Sequence, residues 1–275
     1  MNPTKLNGSK FPQQRFCAYE TDNQPDNEGV MSVLLGLRPA CIIRNALAQE
    51  QSAALANAYL DQSAQRRHDG VPAYEIGLGS YGLTPDDYFG RVPGARADME
   101  AIYAAAGVHL PSMAQEILQA TVDPGVVVRP ARHGGRAAME FRATHFVDEG
   151  PLALKAHEDR GQTDGYEFGA AHRVCGFNFY VLTPDDQEGA ALRMWNIVPD
   201  ARTKRALGVE KTGYPYPTEL LADTPFIDIR PRAGDLLLFA ADGVHAVTSS
   251  KAASKARIVF QSFAGMIDGQ IVRWT

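Results

Sequence analysis

Short segments of β character, separated by turn residues, fill the sequence from about residue 121 to the C-terminus. β-branched and aromatic residues gather in these segments, while Gly, Pro, Asp and Asn collect between them. Many short strands joined by turn residues are typical of a β-sandwich or a jelly roll. We therefore expect a mainly β fold. Its predicted strands are 126–129, 140–147, 152–159, 175–182, 193–197, 226–229, 235–240, 245–248 and 257–264.

The first 120 residues differ from this β-rich part. Residues 1–30 are polar and show no hydrophobic period, which predicts a flexible N-terminal arm. Residues 31–120 are predicted as a helical part packed on the core, and residues 121–275 as the core of one domain. The helical part is expected to contain a strand over 40–43, a helix from Asn45 to about 67, a loop over 69–94, a helix over 95–106 and a helix after Pro111, with Ser112 and Gln115 as a capping box.

Size and composition restrict the class of protein. A chain of 275 residues with 45% hydrophobic content can bury a full core as one domain with appended helices. The net charge of −5 argues against binding to nucleic acid or to an anionic membrane. Three cysteines without metal or redox spacing suit a reducing cytosol. There is no signal-peptide pattern and no apolar run of about 20 residues, so a soluble cytoplasmic protein is expected.

Two histidines and a carboxylate form a candidate metal site. His157 and Asp159 are two residues apart on a predicted strand, so their side chains project from the same face. His245, delivered by a distant strand, would complete a set of two imidazoles and one carboxylate. That set, with open positions left on the metal, is typical of non-heme Fe(II) oxygenases. A chance His-x-Asp triplet plus an unrelated loop histidine is the alternative.

Arg257 begins the last predicted strand and shares a face with Val259, Gln261 and Phe263, so we expect it to point inward. A buried arginine needs an anionic partner, because an unpaired buried charge is very costly. Arg257 is therefore a candidate anchor for an anionic co-substrate, through a bidentate contact to a carboxylate. An ordinary salt bridge within the sheet is the alternative.

The predicted strand 175–182 has two different faces. Cys175, Phe177, Phe179 and Val181 form an apolar face that predicts a core between two sheets. The opposite face carries Asn178 and Tyr180, and its mixture of polar and aromatic groups is typical of a pocket wall. Buried, hydrogen-bonded core positions are the alternative for these two residues.

Further candidates come from other segments. Arg142 lies on the strand before the candidate metal strand, where it could bind a carboxylate or form a structural ion pair. Tyr74, Tyr81 and Phe89 belong to a Gly-rich segment that could form a lid or pocket wall over a substrate, or could simply pack. Trp195 is a further candidate for substrate binding. The charged, Gly- and Pro-containing stretch 199–224 is predicted as a surface excursion.

The metal motif resembles that of the Fe(II)/2-oxoglutarate-dependent dioxygenases. Their pattern of His-x-Asp, a distal His and a following Arg falls on His157, Asp159, His245 and Arg257, and the resemblance covers residues 121–265. It implies a double-stranded β-helix core (a cupin-like jelly roll), Fe(II) on the two histidines and Asp159, and 2-oxoglutarate with O2 as co-substrates. Arg257 would then bind the distal carboxylate of 2-oxoglutarate, with Arg142, Asn178 and Tyr180 beside it. The implied reaction is hydroxylation of an unactivated C–H bond of a small molecule, with release of succinate and CO2.

A narrower resemblance joins the chain to the freestanding, carrier-independent alkaloid halogenases and their hydroxylase relatives. The shared features are the helical N-terminal part, the strand carrying His157, the segment 177–180 and the segment 194–196. It implies a role in secondary metabolism. Those halogenases have a small residue where this chain has Asp159, so hydroxylation is favoured over halogenation. Many members of the wider family carry a serine where this chain has Val259, which removes one common hydrogen bond to the co-substrate.

Two other functions remain open at the level of sequence. The first is a cupin-type metal dioxygenase that uses no 2-oxoglutarate, in which Arg257 would be dispensable for turnover. The second is a non-catalytic jelly-roll binding module, which would not bind Fe(II) stoichiometrically. For each of these functions the expected partner is a small molecule, and the chain is expected to be a monomer or a homodimer.

Overall fold

Two β-sheets of unequal size face each other, and helices cover the outer side of the larger sheet. The computed structural model describes residues 5–63, 65–67, 73–146, 152–184, 190–249 and 257–275. Within these ranges the α-helices are α1 Asn27–Leu34, α2 Gln49–Leu60, α3 Pro85–Ala106, α4 Leu110–Ala120 and α5 Ala201–Leu207. Short 3-10 helices lie at Gln13–Arg15, Arg160–Gln162, Glu167–Ala170 and Thr218–Leu221.

The strands outnumber the helices in the described part of the chain, so the fold is mainly β with several helices. They are β1 Gly8–Ser9, β2 Ala18–Asp22, β3 Ala40–Arg44, β4 Arg66–Arg67, β5 Ala73–Ile76, β6 Val128–Pro130, β7 Arg132–His133, β8 Arg136–Ala137, β9 Arg142–Phe146, β10 Leu152–His157, β11 Cys175–Leu182, β12 Leu192–Trp195, β13 Val198–Pro199, β14 Phe226–Ile229, β15 Leu236–Ala240, β16 His245–Thr248, β17 Arg257–Ile267 and β18 Gln270–Trp274.

The strand order defines the two layers. The large sheet runs β2-β3-β15-β11-β17-β9-β5-β4, and β18 joins it by pairing with β17 and β6. The small sheet runs β10-β16-β12-β14, while β1 pairs with β13 and β7 with β8. Neighbouring strands are antiparallel except for β2 with β3 and β18 with β6. Residues of both sheets line one internal cavity, which therefore lies between the layers.

Alternation along β11 directs two sets of side chains to opposite sides of the large sheet. Asn178 and Tyr180 face the internal cavity. Phe177 and Phe179 lie on the other side, where their ring centroids are 6.3 and 5.8 Å from that of Phe141. The expectation that this apolar face forms a core between two sheets was wrong. Helices α2 and α3 cover the face instead, as the contact of Tyr103 in α3 with a β17 ring on the same side illustrates.

Two segments of the predicted N-terminal arm take part in the sheets. Strand β2 pairs with β3 in parallel along its whole length, and β1 pairs with β13. The polar composition of residues 1–30 predicted a flexible arm. It did not reveal β2, because the sheet contacts of this strand are mainly backbone hydrogen bonds, which leave no hydrophobic period in the sequence.

Helices α2, α3 and α4 begin at other residues than the sequence predicts, and α2 ends at Leu60 instead of near residue 67. Helix α2 begins at Gln49, because Asn45 adopts a φ of +53° that does not continue into a helix. Helix α3 begins at Pro85, where the Thr84 hydroxyl accepts the backbone N–H of Asp87 at 3.2 Å. The loop over 69–94 was predicted from Pro93 and the neighbouring glycines, which are part of this helix or precede it. Helix α4 begins at Leu110, so no capping box forms at the predicted position.

The stretch 199–224 packs against the outer face of the small sheet instead of forming a surface excursion. Ala156, Trp195 and Ala246 of the sheet contact Val209 and Tyr216 of this stretch in a second apolar cluster. The stretch therefore supports the strands that carry the candidate metal ligands. No helix in the described ranges combines the length and the apolar character needed to cross a membrane.

Candidate metal centre and adjoining cavities

Strand pairing brings His157 and His245 together. Strands β10 and β16 are antiparallel, and these two residues are Cα partners at the end of the pairing. Their ring centroids are 4.1 Å apart. Asp159 follows β10, and its backbone N–H donates to the Ala241 carbonyl at 2.8 Å, which fixes its direction. One ligand atom from each of the three buried residues lies within 4.8 Å of the others.

Backbone carbonyls fix the orientation of both imidazoles. Nδ1 of His157 lies 2.7 Å from the Lys155 carbonyl oxygen, and Nδ1 of His245 lies 2.9 Å from that of Gly243. A carbonyl oxygen only accepts hydrogen bonds, so each Nδ1 carries a proton, and in the neutral imidazole Nε2 then keeps its lone pair. The Nε2 atoms lie 3.9 and 3.4 Å from the Asp159 carboxylate oxygens. Two neutral imidazole nitrogens and one carboxylate are suitable donors for a divalent iron.

The electrostatic environment favours the metal-binding protonation states. Burial lowers the pKa of His157 to about 4, so this imidazole is neutral at physiological pH. Burial alone would raise the pKa of Asp159, but the hydrogen bond and charge that the adjacent histidines offer when protonated, together with the Arg142 guanidinium, outweigh burial and hold that pKa below its ordinary value. Metal coordination requires a neutral imidazole and an ionised carboxylate. His157 and Asp159 thus meet this requirement near neutral pH.

Two cavities adjoin the candidate ligands. The inner cavity has a volume of about 60 Å³ between the sheets and is lined by Asn178, Tyr180, Arg257 and Val259 as well as by the three candidate ligands. The outer cleft has a volume of about 660 Å³ and is also lined by His157 and Asp159. Its further lining residues include Ser80, Leu83, Phe146, Leu154, Asp164, Tyr166, Lys211 and Tyr214. Both cavities share the walls formed by Tyr81, Arg142 and Gln261.

Arg142 and Tyr81 lie next to the candidate metal ligands. The Arg142 guanidinium stacks 4.5 Å from the centroid of the Tyr81 ring, and its Nη2 donates to the Tyr81 hydroxyl at 3.0 Å. That hydroxyl lies 3.5 Å from Oδ1 of Asp159. Nη1 of Arg142 is 3.7 Å from Oε2 of Glu75, so the alternative of an ion pair is also present in the structure.

Three residues predicted to bind substrate line neither cavity. Tyr74 is partly exposed on β5, where the neighbouring Ala73 lines the outer cleft and alternation turns Tyr74 away. Phe89 packs inside the protein, with its ring 5.0 Å from that of Tyr88. Trp195 faces the stretch 199–224, because Leu192 of the same strand faces the inner cavity and the two lie on opposite sides of the strand.

The sequence prediction did not include several residues of the outer cleft. Thr144 and Gln261 could have been found by alternation, since they share strand faces with Arg142 and Arg257. Lys211 and Tyr214 have no such signal, because they come from the stretch 199–224 and reach the cleft only through tertiary packing.

Comparison with curated proteins gives two relatives over part of the chain, while no family model matches it. The chain is 33% identical over 160 residues to L-isoleucine 3(1)-dioxygenase of Pantoea ananatis, which covers 56% of this chain and 53% of that protein. It is 31% identical over 152 residues to L-gamma-glutamyl-L-propargylglycine hydroxylase of Streptantibioticus cattleyicolor, covering 55% and 54%. The chain thus spans about half the length of the curated relatives it matches.

Comparison with solved structures extends over most of the chain. An N-substituted L-amino acid dioxygenase from Burkholderia ambifaria superposes with a TM-score of 0.57 at 16% identity, over 90% of this chain and 91% of the other. A structure of the Burkholderia dioxygenase in complex with alpha-KG gives a TM-score of 0.53, also at 16% identity, over 90% of each chain. This protein shares the fold of that dioxygenase.

Proposed function

We propose that this protein is an Fe(II)- and 2-oxoglutarate-dependent oxygenase that hydroxylates an unactivated C–H bond of a small molecule. The observation that carries the proposal is the buried set of His157, Asp159 and His245, with both Nδ1 atoms bonded to backbone carbonyls and the Nε2 atoms 3.9 and 3.4 Å from the carboxylate oxygens. The names of the two partly matching relatives, a dioxygenase and a hydroxylase, also support it.

Each part of the site has a role in this proposal. The Nε2 atoms of the two histidines and a carboxylate oxygen of Asp159 would hold the iron. Arg257, buried at the wall of the inner cavity, would bind the distal carboxylate of 2-oxoglutarate, and Asn178 and Tyr180 would supply polar contacts. When bound, iron with 2-oxoglutarate and O2 supplies the oxidising chemistry and yields succinate and CO2. The protein's part in this proposal is to orient both substrates.

The proposal includes the finer architecture. We infer that the facing sheets form a double-stranded β-helix, or jelly roll, within a single domain of which residues 31–120 are the appended helical part. The shared fold with a dioxygenase supports this inference. A reducing cytosol is also part of the proposal and is supported by the buried free thiols of Cys41 and Cys175.

Hydroxylation is preferred to halogenation in this proposal. Asp159 supplies a carboxylate oxygen at the position that a halide would need, because its oxygens lie 3.4 and 3.9 Å from the two Nε2 atoms. A narrower kinship with the freestanding alkaloid halogenases rests on the sequence pattern of the helical N-terminal part, of the strand carrying His157 and of segments 177–180 and 194–196. The similar proteins found by comparison are amino-acid or peptide oxygenases by name, which favours an amino acid or its derivative as substrate.

An anaerobic titration tests the proposed co-substrate chemistry. Metal-free protein receives Fe(II) and then 2-oxoglutarate, and the weak visible charge-transfer band of the chelate is recorded. We expect the band in the wild type. Arg257→Ala should need at least about tenfold more 2-oxoglutarate to give the same band. In Asp159→Ala the band should be absent. Arg136→Ala serves as a control, because this half-exposed arginine pairs with Asp86 away from both cavities.

Two results would contradict the proposal in different ways. Binding of Fe(II) without a band at any 2-oxoglutarate concentration would favour a cupin-type dioxygenase. Absence of stoichiometric Fe(II) binding would favour a non-catalytic binding module.

A further inference from the structure

We propose that Arg142 and Gln261 form a clamp for a carboxylate of the main substrate, at the boundary between the outer cleft and the inner cavity. The inference rests on the proposed oxygenase function and names the substrate class as a carboxylate-bearing small molecule. Strands β9 and β17 are neighbours, and the two residues are Cα partners in their pairing. Both side chains line both cavities beside His157 and Asp159.

The hydrogen bond of Thr144 orients the Gln261 amide. The Thr144 hydroxyl donates to Oε1 of Gln261 at 2.6 Å. A hydroxyl bonded to the amide oxygen directs the amide NH2 group the other way, and this assignment follows from the hydrogen-bond network. Gln261 therefore presents donors to the cavities. A carboxylate, which only accepts hydrogen bonds when ionised, suits that group.

Arg142 has an unused buried donor at the same place. Its side chain is 9% exposed, and its Nε has no hydrogen-bond partner among the described residues. Leaving a buried charged donor unpaired is costly, and a ligand oxygen would remove that cost. An arginine fork beside an amide NH2 group offers charge and directional donors to one carboxylate.

The guanidinium is held in place before any ligand binds. The Tyr81 ring covers one side of it, and the backbone at Gly79 approaches so closely that an added Cβ would lie 2.6 Å from Nη1 of Arg142. Groups fixed in the binding geometry lose little freedom when the ligand arrives. The glycine thus makes room for a positioned guanidinium.

The described lining of the outer cleft offers one buried cation to an anionic group at this point, Arg142, whose Nη1 also lies 3.7 Å from Oε2 of Glu75. Apart from the candidate ligand Asp159, the charged residues of the described cleft lining are Arg142, Lys211 and Asp164. Lys211 and Asp164 are exposed, so Arg142 is the buried cation of that lining. The C1-carboxylate of 2-oxoglutarate has the same chemistry as a substrate carboxylate. Experiments must therefore separate the two sources.

The test compares matched probes on Arg142→Gln and Gln261→Leu. Protein loaded with Ni(II) and 2-oxoglutarate, which does not turn over, is titrated calorimetrically with L-isoleucine, N-acetyl-L-isoleucine and the primary amide of each. We expect both variants to lose about 10-fold to 100-fold in affinity for the carboxylates, with little change for the amides. The affinity for 2-oxoglutarate, read from the Fe(II) charge-transfer band, should stay within about twofold of the wild type, as it should in the control Arg136→Gln.

Several results would overturn the clamp. One is that the wild type binds neither carboxylate more tightly than its amide. Another is that the variants lose 2-oxoglutarate affinity instead, which would assign the clamp to the co-substrate, and a third is that neither affinity changes. If Arg142→Gln folds poorly, the double variant Arg142→Gln/Glu75→Gln is used instead, because it removes the charges of both partners together. It must show the same loss of affinity for the carboxylates. A missing charge-transfer band in the wild type would count against the proposed function itself, whereas the calorimetric comparison judges the clamp.

Discussion

Glu158 lies between two candidate metal ligands in sequence, yet its side chain points to the opposite side of the chain. Its Oε1 accepts a hydrogen bond from Nζ of Lys204 at 2.7 Å, and its Oε2 accepts the Arg160 backbone N–H at 2.7 Å. The Glu158 side chain is fully buried, and that of Lys204 is 12% exposed. At the residue scale, alternation gives two adjacent carboxylates different surroundings, since Glu158 pairs with Lys204 while Asp159 lies beside the candidate histidines.

We predict that breaking this buried ion pair from one side is more costly than removing both partners. Lys204→Met alone should lower the free energy of unfolding by about 3 kcal/mol, because it leaves the Glu158 charge buried and uncompensated. The double variant Glu158→Gln/Lys204→Met should recover much of the loss. Denaturant unfolding of the four members of the cycle measures both effects.

The more exposed pair of Arg193 and Asp228 provides a control for this cycle, with side chains 30% and 18% exposed. Arg193→Met should cost about 1 kcal/mol or less. Equal losses for Lys204→Met and Arg193→Met would show that burial does not decide the strength of the first pair.

At the scale of elements, the stretch 199–224 supports the strand that carries His157. Gly213 has a φ of +64°, and its carbonyl accepts the Glu158 backbone N–H at 2.9 Å. A Cβ added at Gly213 would lie 2.0 Å from the Glu158 carbonyl oxygen. The stretch therefore lies so close to the end of β10 that only a glycine fits at position 213 without displacing it.

We predict that Gly213→Ala weakens metal binding as well as stability. The new methyl group must push the stretch away from Glu158, which shifts Asp159 next to it. Calorimetric titration with Ni(II) should show about a tenfold loss of affinity.

Gly208→Ala is the matched control, since Gly208 also has a positive φ, of +70°, but an added Cβ would meet nothing within 4 Å. That variant should lose only about 1 kcal/mol of stability and keep its Ni(II) affinity. The same Ni(II) affinity in both variants would contradict the proposed support of the metal strand.

At the scale of the whole molecule, the candidate ligands join parts of the small sheet that are far apart in sequence, on β10 and β16. Arg257 lies across the cavity on the large sheet. Ligands bound between the layers should therefore stabilise the folded protein as a unit, since they bind the native state and not the unfolded chain.

We predict that Ni(II) with 2-oxoglutarate raises the thermal midpoint of the wild type. At a ligand concentration about 100 times the dissociation constant, the gain is about 2.7 kcal/mol, which corresponds to about 5–10 °C for a chain of this size. Differential scanning calorimetry with and without a chelator measures the shift. Asp159→Ala should show no more than a small part of it, and an equal shift in that variant would place the bound metal elsewhere.

Local sequence patterns determined a large share of this protein. Alternation with period two fixed most strands of the β-rich part, the shared face of His157 and Asp159, and the inward side of Arg257 and of Asn178 with Tyr180. The pattern alone sufficed there, because the direction of a side chain on a strand depends only on its parity. The same rule, applied one step further, would have identified Gln261 and Thr144.

Only the tertiary structure decided the remaining features. The pairing of β10 with β16 set the distance between the two histidines, and the packing of 199–224 brought Lys204 to Glu158 and Tyr214 to the outer cleft. Phe177 faces helices and not a second sheet, because helices cover that side of the large sheet. These contacts join segments that are distant in sequence, and such contacts are selected by the fit of whole surfaces and not by any local period.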